Sequence, residues 1–187
     1  MTGQDKFLKK IVDALDAAGI KYMITGSVSS SFHGNPRATN DTDMVITPTM
    51  EQLNLFVKSL KDCYVCLPTA REALKTGGMF NVIDNETGYK ADMIICKNDP
   101  FGRQEFQRRY RVSILGLDVW VVSAEDIILS KLKWTKGRLS EKQFGDIKGI
   151  MAAQQDTLDK DYLHKWAKEL GVEDTLKQLL EEASGPL

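Results

Sequence analysis

Little in this chain suits life outside a cell or within a membrane. It holds only three cysteines, Cys63, Cys66 and Cys96. An odd number of thiols without an export signal argues against a disulfide framework. Cys63 and Cys66 have C-x-x-C spacing, but no second pair completes a zinc site. They sit in CYVCL, which reads as a strand, where residues three apart face opposite sides. The thiols are therefore read as buried apolar groups. No apolar run approaches the roughly 20 residues of a membrane-spanning helix. The start, MTGQDKFLKK, lacks the apolar core of a secretory signal, so the expected compartment is the cytoplasm. With a net charge of -1 the chain does not present a surface that coats nucleic acid broadly, although local basic patches remain open. Repeats and low-complexity segments are missing too.

What is present is an ordinary globular composition, 42% hydrophobic and 27% charged over 187 residues. That suits one compact domain, or a domain with a smaller appendage. Phe7, Leu8, Ile11, Val12 and Leu15 recur at helical spacing, and Gly19 closes that helix. KYMIT reads as a short strand ending at Gly26. SVSSSFHG reads as a helical turn or two, ended by Gly34 and Pro36. DTDMVIT is a second strand, stopped by Pro48. A helix over TMEQLNLFVKSLKD, a strand CYVCLP and a short helix TAREALKTG follow. MFNVIDNETGYKADMIIC reads as a hairpin turning at Asn85 to Gly88, and RVSILGLDVWVVS as another turning near Gly116. FGRQEFQRR between them is a short helix or loop. After Ser123, a cap-like residue followed by acids, the pattern is helical only. The expectation is an α/β (α+β) fold: a mixed sheet flanked by helices over residues 1–123, with a helical region, 124–187, packed on it.

Chemistry concentrates in GSVSSSFHGNPRATNDTDMVI. Asp41 and Asp43 are two apart on a strand and share a face, with Thr42 and Met44 on the other. Two carboxylates so close call for a cation, a shared proton or open solvent. An isolated D-x-D is most often a solvated strand start, but three features point further. Gly26 and Ser27 stand at a strand-to-helix junction, where glycine permits close approach and a helix N-terminus favours phosphate. Asp92 lies on an alternating strand, with Lys90 and Ile94 on the same face. If that strand neighbours DTDMVI, three carboxylates meet, a donor set suited to a pair of Mg²⁺ ions and substrate phosphates. Arg37, with Thr39 nearby, supplies a guanidinium suited to phosphate.

The order G-S, about ten residues, R-x-T-x-D-x-D, then a later strand with one Asp resembles the DNA polymerase beta-like nucleotidyltransferase superfamily. Gly26, Ser27, Arg37, Thr39, Asp41, Asp43 and Asp92 carry the match. Downstream, SAEDIILSKLKW, then an Arg, then GDIKGI is similar to later motifs of the abortive-infection type nucleotidyltransferase toxins, at Lys131, Arg138 and Asp146. The resemblance implies a nucleotidyltransferase-type fold and transfer of a nucleoside monophosphate from a nucleoside triphosphate to a hydroxyl acceptor. In that scheme Asp41, Asp43 and Asp92 are catalytic and hold two Mg²⁺, with Mn²⁺ as the alternative. Gly26, Ser27, Arg37, Thr39 and Lys131 contact the nucleotide, and Arg138 and Asp146 support the site. The acceptor implied is a protein, a tRNA or a small molecule such as an aminoglycoside or lincosamide. A cognate antitoxin is the further partner implied, and no membrane is involved.

Two rival readings stand beside this one. Nucleotide-sugar glycosyltransferases also use D-x-D, but they place a nucleotide-binding α/β region well before it, and only about forty residues precede it here. The non-enzymatic rival is a catalytically silent nucleotide-binding or regulatory module of a toxin-antitoxin type system. Candidate acceptor contacts are Arg103, Arg108, Arg109 and Arg111, and then Lys131, Lys133, Lys136 and Arg138, although such runs are commonly solvated. Trp134 is read as a core or interface residue rather than a base-stacking one. His33 is read as a polar helix-end histidine and not a catalytic base.

Overall fold

The computed structural model describes residues 2–37, 39, 41–114, 116–136 and 138–184, with backbone alone for 183 and 184. The last three residues of the expected helical region lie outside this set. The described chain divides into two compact units, one of residues 1–28 and 38–121, the other of 29–37 and 122–187. Residues 29–37 thus group with the helical segment rather than with the sheet.

The first unit is built on a seven-stranded mixed sheet in the order β3-β4-β5-β2-β1-β7-β6. Its strands are β1 (Tyr22–Thr25), β2 (Asp41–Ile46), β3 (Cys63–Tyr64), β4 (Met79–Asp84), β5 (Lys90–Ile95), β6 (Tyr110–Ile114) and β7 (Leu117–Val121). Helices α1 (Gly3–Ala17), α3 (Met50–Ser59), α4 (Leu67–Thr76) and α5 (Pro100–Arg108) belong to the same unit. The α1 stripe inferred from sequence, Phe7, Leu8, Ile11, Val12 and Leu15, is buried. It joins Ile24, Met44 and Ile46 of the central strands and Leu53 and Phe56 of α3 in one apolar core. Local signals set the helix starts. Thr2 and Asp5 form a reciprocal capping box on α1, and Thr49 and Gln52 do the same on α3.

Strand β2 lies between β1, antiparallel to it, and β5, parallel to it. Both hairpins expected from sequence form, β4 with β5 and β6 with β7. The thiols depart from expectation. Strand β3 is only two residues long, so Cys66 falls outside it and starts α4, half-buried and accepting a hydrogen bond from Thr69 at 3.0 Å. Cys63 is buried, while Cys66 and Cys96 are partly open.

Short helix α2 (Gly26–His33) begins in the first unit and ends in the second. The second unit continues with α6 (Ala124–Thr135), α7 (Glu141–Ala153), α8 (Lys160–Glu169) and α9 (Glu173–Ser184). Ser123 caps α6 by accepting the Asp126 amide at 3.1 Å. Ile127, Leu132, Ile147, Ile150, Leu163, Leu176 and Leu179 supply buried apolar side chains to this unit.

Candidate active site

Strand register brings the three acids together. Asp43 pairs with Asp92 across the parallel β2–β5 boundary, and Asp41 pairs with Lys90 on the next same-face rung. Asp43 also faces Thr25 of β1, and Asp92 faces Asn81 of β4. One rung therefore reads Thr25, Asp43, Asp92, Asn81 across four adjacent strands. The intervening residues face the other way as alternation demands: Thr42, Met44, Ala91 and Met93 are all buried.

The cation that the carboxylates call for is Lys90. Its Nζ lies 3.2 Å from Asp92 and 3.9 Å from Asp41. The Asp92 hydrogen bond raises the Lys90 ammonium above its ordinary pKa, outweighing partial burial, and the charges of Asp92, Asp41 and Asp43 add to it. Asp92 is mostly covered, with 14% of its side chain exposed, and accepts from the Asn81 amide as well. Asp41 is open to solvent at 58%. Lys90 is named by the sequence only as a flanking residue. The same alternation that places Asp92 could have marked it, whereas Asn81 needed the hairpin register.

Gly26 has a stronger reason to be glycine than ligand access alone. Its φ is +62°, and a Cβ there would fall 1.9 Å from Asp43 Oδ2. The absent side chain makes room for the carboxylate itself. Ser27 follows on the first turn of α2, and Thr39 donates its hydroxyl to the Asp41 carbonyl at 3.2 Å.

A second polar group forms within the helical unit. Asp146 on α7 accepts from Arg37 Nε at 2.9 Å, from Arg37 Nη2 at 3.2 Å and from Lys131 Nζ at 2.9 Å. The Asp146 side chain is 8% exposed and that of Lys131 11%. Burial alone would raise the Asp146 pKa, but the Arg37 and Lys131 hydrogen bonds outweigh it and hold the carboxyl below its ordinary range. One carboxylate thus holds two cations. Arg138 lies exposed beyond α6, with its backbone amide donating to Thr135.

Other residues singled out by sequence take different places. His33 is buried, and its Nε2–H donates to the Val122 carbonyl at 2.7 Å. Burial pushes its pKa down against the effect of that bond. Trp134, expected in a core or interface, is 80% exposed. Arg109 stacks over Phe106 at 4.1 Å and Trp120 at 5.0 Å, and Arg103 binds Asn98. These two arginines of the first basic run are thus engaged within the protein.

Among the described residues, no three His, Cys, Asp or Glu groups are gathered closely enough to hold a metal ion as they stand. The donors nonetheless suit magnesium chemically. Asp41, Asp43 and Asp92 are hard oxygen ligands on one face of two adjacent strands.

The mixed sheet flanked by helices is an α/β arrangement consistent with the nucleotidyltransferase-type fold, and several solved structures are similar to it. No family model matches the chain, and no curated protein matches it in sequence. An antigenic nucleotidyltransferase-like protein from Paracoccidioides brasiliensis is similar over 93% of this chain and 91% of that one, with 17% identity and a TM-score of 0.55. ANT(2")-Ia in complex with adenylyl-2"-tobramycin is similar over 91% and 98%, with 15% identity and a TM-score of 0.60. The lincosamide antibiotic adenylyltransferase LnuA, lincomycin-bound, is similar over 82% and 98%, with 13% identity and a TM-score of 0.56. At these identities the likeness is one of fold. No described helix is long and apolar enough to cross a membrane.

Proposed function

We propose that the protein is a metal-dependent nucleotidyltransferase that moves a nucleoside monophosphate from a nucleoside triphosphate to a hydroxyl acceptor. The observation that carries this reading is the β2–β5 register, which sets Asp43 against Asp92 with Asp41 one same-face rung away. Asp41, Asp43 and Asp92 would hold a pair of Mg²⁺ ions, or Mn²⁺, which supply positive charge to the attacking and leaving oxygens when bound. Asp92 takes the proton of the acceptor hydroxyl. That oxygen forms a bond to the α-phosphorus as the bond to the β-phosphate oxygen breaks, and pyrophosphate leaves. Gly26 and Ser27, at the opening of α2, bind the terminal phosphates through the helix N-terminus. Thr39 orders the approach to Asp41. For Arg37 and Lys131 the role is phosphate binding, supported by Asp146, which holds both cationic side chains in place, with Arg138 as a further supporting residue.

A second reading has its own observation. Lys90 within the acid group suits a catalytically silent nucleotide-binding module, including one regulated by an antitoxin. The acceptor in the enzymatic reading is a small molecule, a tRNA or a protein. Two of the similar structures hold lincomycin or adenylyl-2"-tobramycin, which makes polyhydroxylated small molecules the first to test. The deciding experiment incubates the protein and Mg²⁺ with each labelled nucleoside triphosphate, in turn with aminoglycosides, lincosamides, tRNA and whole-cell protein. Label in one acceptor fraction is expected, and Asp43→Asn is expected to abolish it while keeping the circular dichroism spectrum. Equal labelling by mutant and parent would remove the site. Triphosphate binding without transfer to any fraction would select the silent module.

A further inference from the structure

We infer that Lys90 is a built-in counter-ion of the acid platform, which a divalent cation must displace to bind. This rests on the metal-dependent reading above and concerns how that site is controlled. The ammonium is hydrogen-bonded to Asp92 at 3.2 Å and lies 3.9 Å from Asp41, close enough for ion pairing. Asp43, the register partner of Asp92, adds its field from the same face. These are the oxygens a divalent ion would need. A carboxylate oxygen engaged by an ammonium has fewer lone pairs to offer, and a fixed positive charge within about 4 Å opposes a second cation.

The position is specified rather than incidental. Lys90 sits directly across from Asp41 in the parallel register, two residues before Asp92 on the same strand. Its side chain is 33% exposed, so the ammonium has a route to water when it leaves. A flexible four-carbon stem allows that movement at low cost. Lys90 therefore keeps the acids satisfied in the cation-free protein and lowers their affinity for metal. Divalent binding is then weak in the free protein and is strengthened by the additional phosphate ligands that a triphosphate brings.

Two measurements on the full-length protein test this. The first is calorimetric Mn²⁺ titration of the parent and of Lys90→Met, which keeps the stem and removes the charge. The variant is expected to bind on the order of tenfold more tightly. The second needs no variant: acetylation of each lysine by an amine-reactive ester, followed by mass spectrometry with and without Mg²⁺. Lys90 is expected to react several-fold faster with Mg²⁺, whereas Lys10, paired with Asp84 at 2.7 Å on other strands and helices of the unit, keeps its rate. Equal Mn²⁺ affinity in the two proteins, or a Lys90 acetylation rate indifferent to Mg²⁺ in a protein that binds Mn²⁺, overturns the inference and leaves the metal-dependent reading standing. Absence of Mn²⁺ binding in both proteins, with triphosphate present, overturns both.

Discussion

Gly26 and Asp43 show how tightly one residue can constrain another in this site. The Gly26 backbone is in the left-handed region at φ +62°, and the space its side chain would fill is taken by the Asp43 carboxylate. Gly26→Ala is expected to cost about 1–2 kcal/mol through backbone strain. It should also push the Asp43 carboxylate out of line with Asp92. Urea unfolding would report the first effect and nucleotide transfer the second. A variant with parental transfer activity would mean that the close approach does not matter to the chemistry. The alternation that makes Asp41, Asp43 and Asp92 legible in sequence is a property of any strand, so those positions could be inferred without coordinates. The partner that requires glycine at position 26 could not, because it lies on another strand and nothing local announces it.

At the scale of elements, the chain just after α2 meets α7 backbone to backbone. A Cβ on Gly34 would fall 2.7 Å from both the Gly149 carbonyl carbon and the Ile150 nitrogen. Main-chain atoms cannot rotate away, so Gly34→Ala is expected to destabilise the helical unit by about 1–3 kcal/mol. Gly145→Ala on the same α7 helix is the control, since nothing lies within 4 Å of the added methyl. It should be neutral or stabilising by up to about 1 kcal/mol. Chemical denaturation of the pair would check both, and equal stabilities would show that the helices can separate without cost. Sequence reads Gly34 as a helix stop, which it is, but not as a packing residue. The hairpins, the α1 stripe and the helical change after Ser123 were legible because turn residues and apolar periodicity are local. The short β3, with Cys66 outside it, was not, because pairing with β4 decides where that strand ends.

For the whole molecule, a few ionisable groups with shifted pKa values define a stability plateau. The Lys10 hydrogen bond, against burial, lowers the Asp84 pKa to about 2, with Thr87 contributing. Asp146 is lowered as well. A carboxylate with a depressed folded pKa contributes stability above its unfolded pKa of about 4 and loses it as pH falls toward the folded value. His33 is buried as the neutral ring, so its contribution is complete above about pH 6.5 and falls away below it. Lys10 and Lys90 are raised, so theirs persists below about pH 10.4 and is lost as pH rises through their folded values. Burial raises the Cys63 and Cys96 thiols, which sets the alkaline limit, so stability is expected to be flat from about pH 7 to 8, and on the acid side to fall first with His33 and again below about pH 4. Melting temperatures across that range for the parent and His33→Gln check the order. The variant should lose the first step and keep the second, and an unchanged curve would exclude His33 as its source.

By itself the sequence determined the helices, the alternating strands and the acid face of β2 and β5, since spacing and turn chemistry act over a few residues. Only the tertiary structure decided that Asp43 pairs with Asp92 across the strands, that Lys90 reaches Asp92 and Asp41, and that Gly26 yields its side-chain volume to a carboxylate. It also decided that Arg37 reaches Asp146, 109 residues away in sequence, while Lys131 approaches the same carboxylate from α6. Such contacts follow from strand order and helix packing, which depend on how distant segments bury apolar surface together.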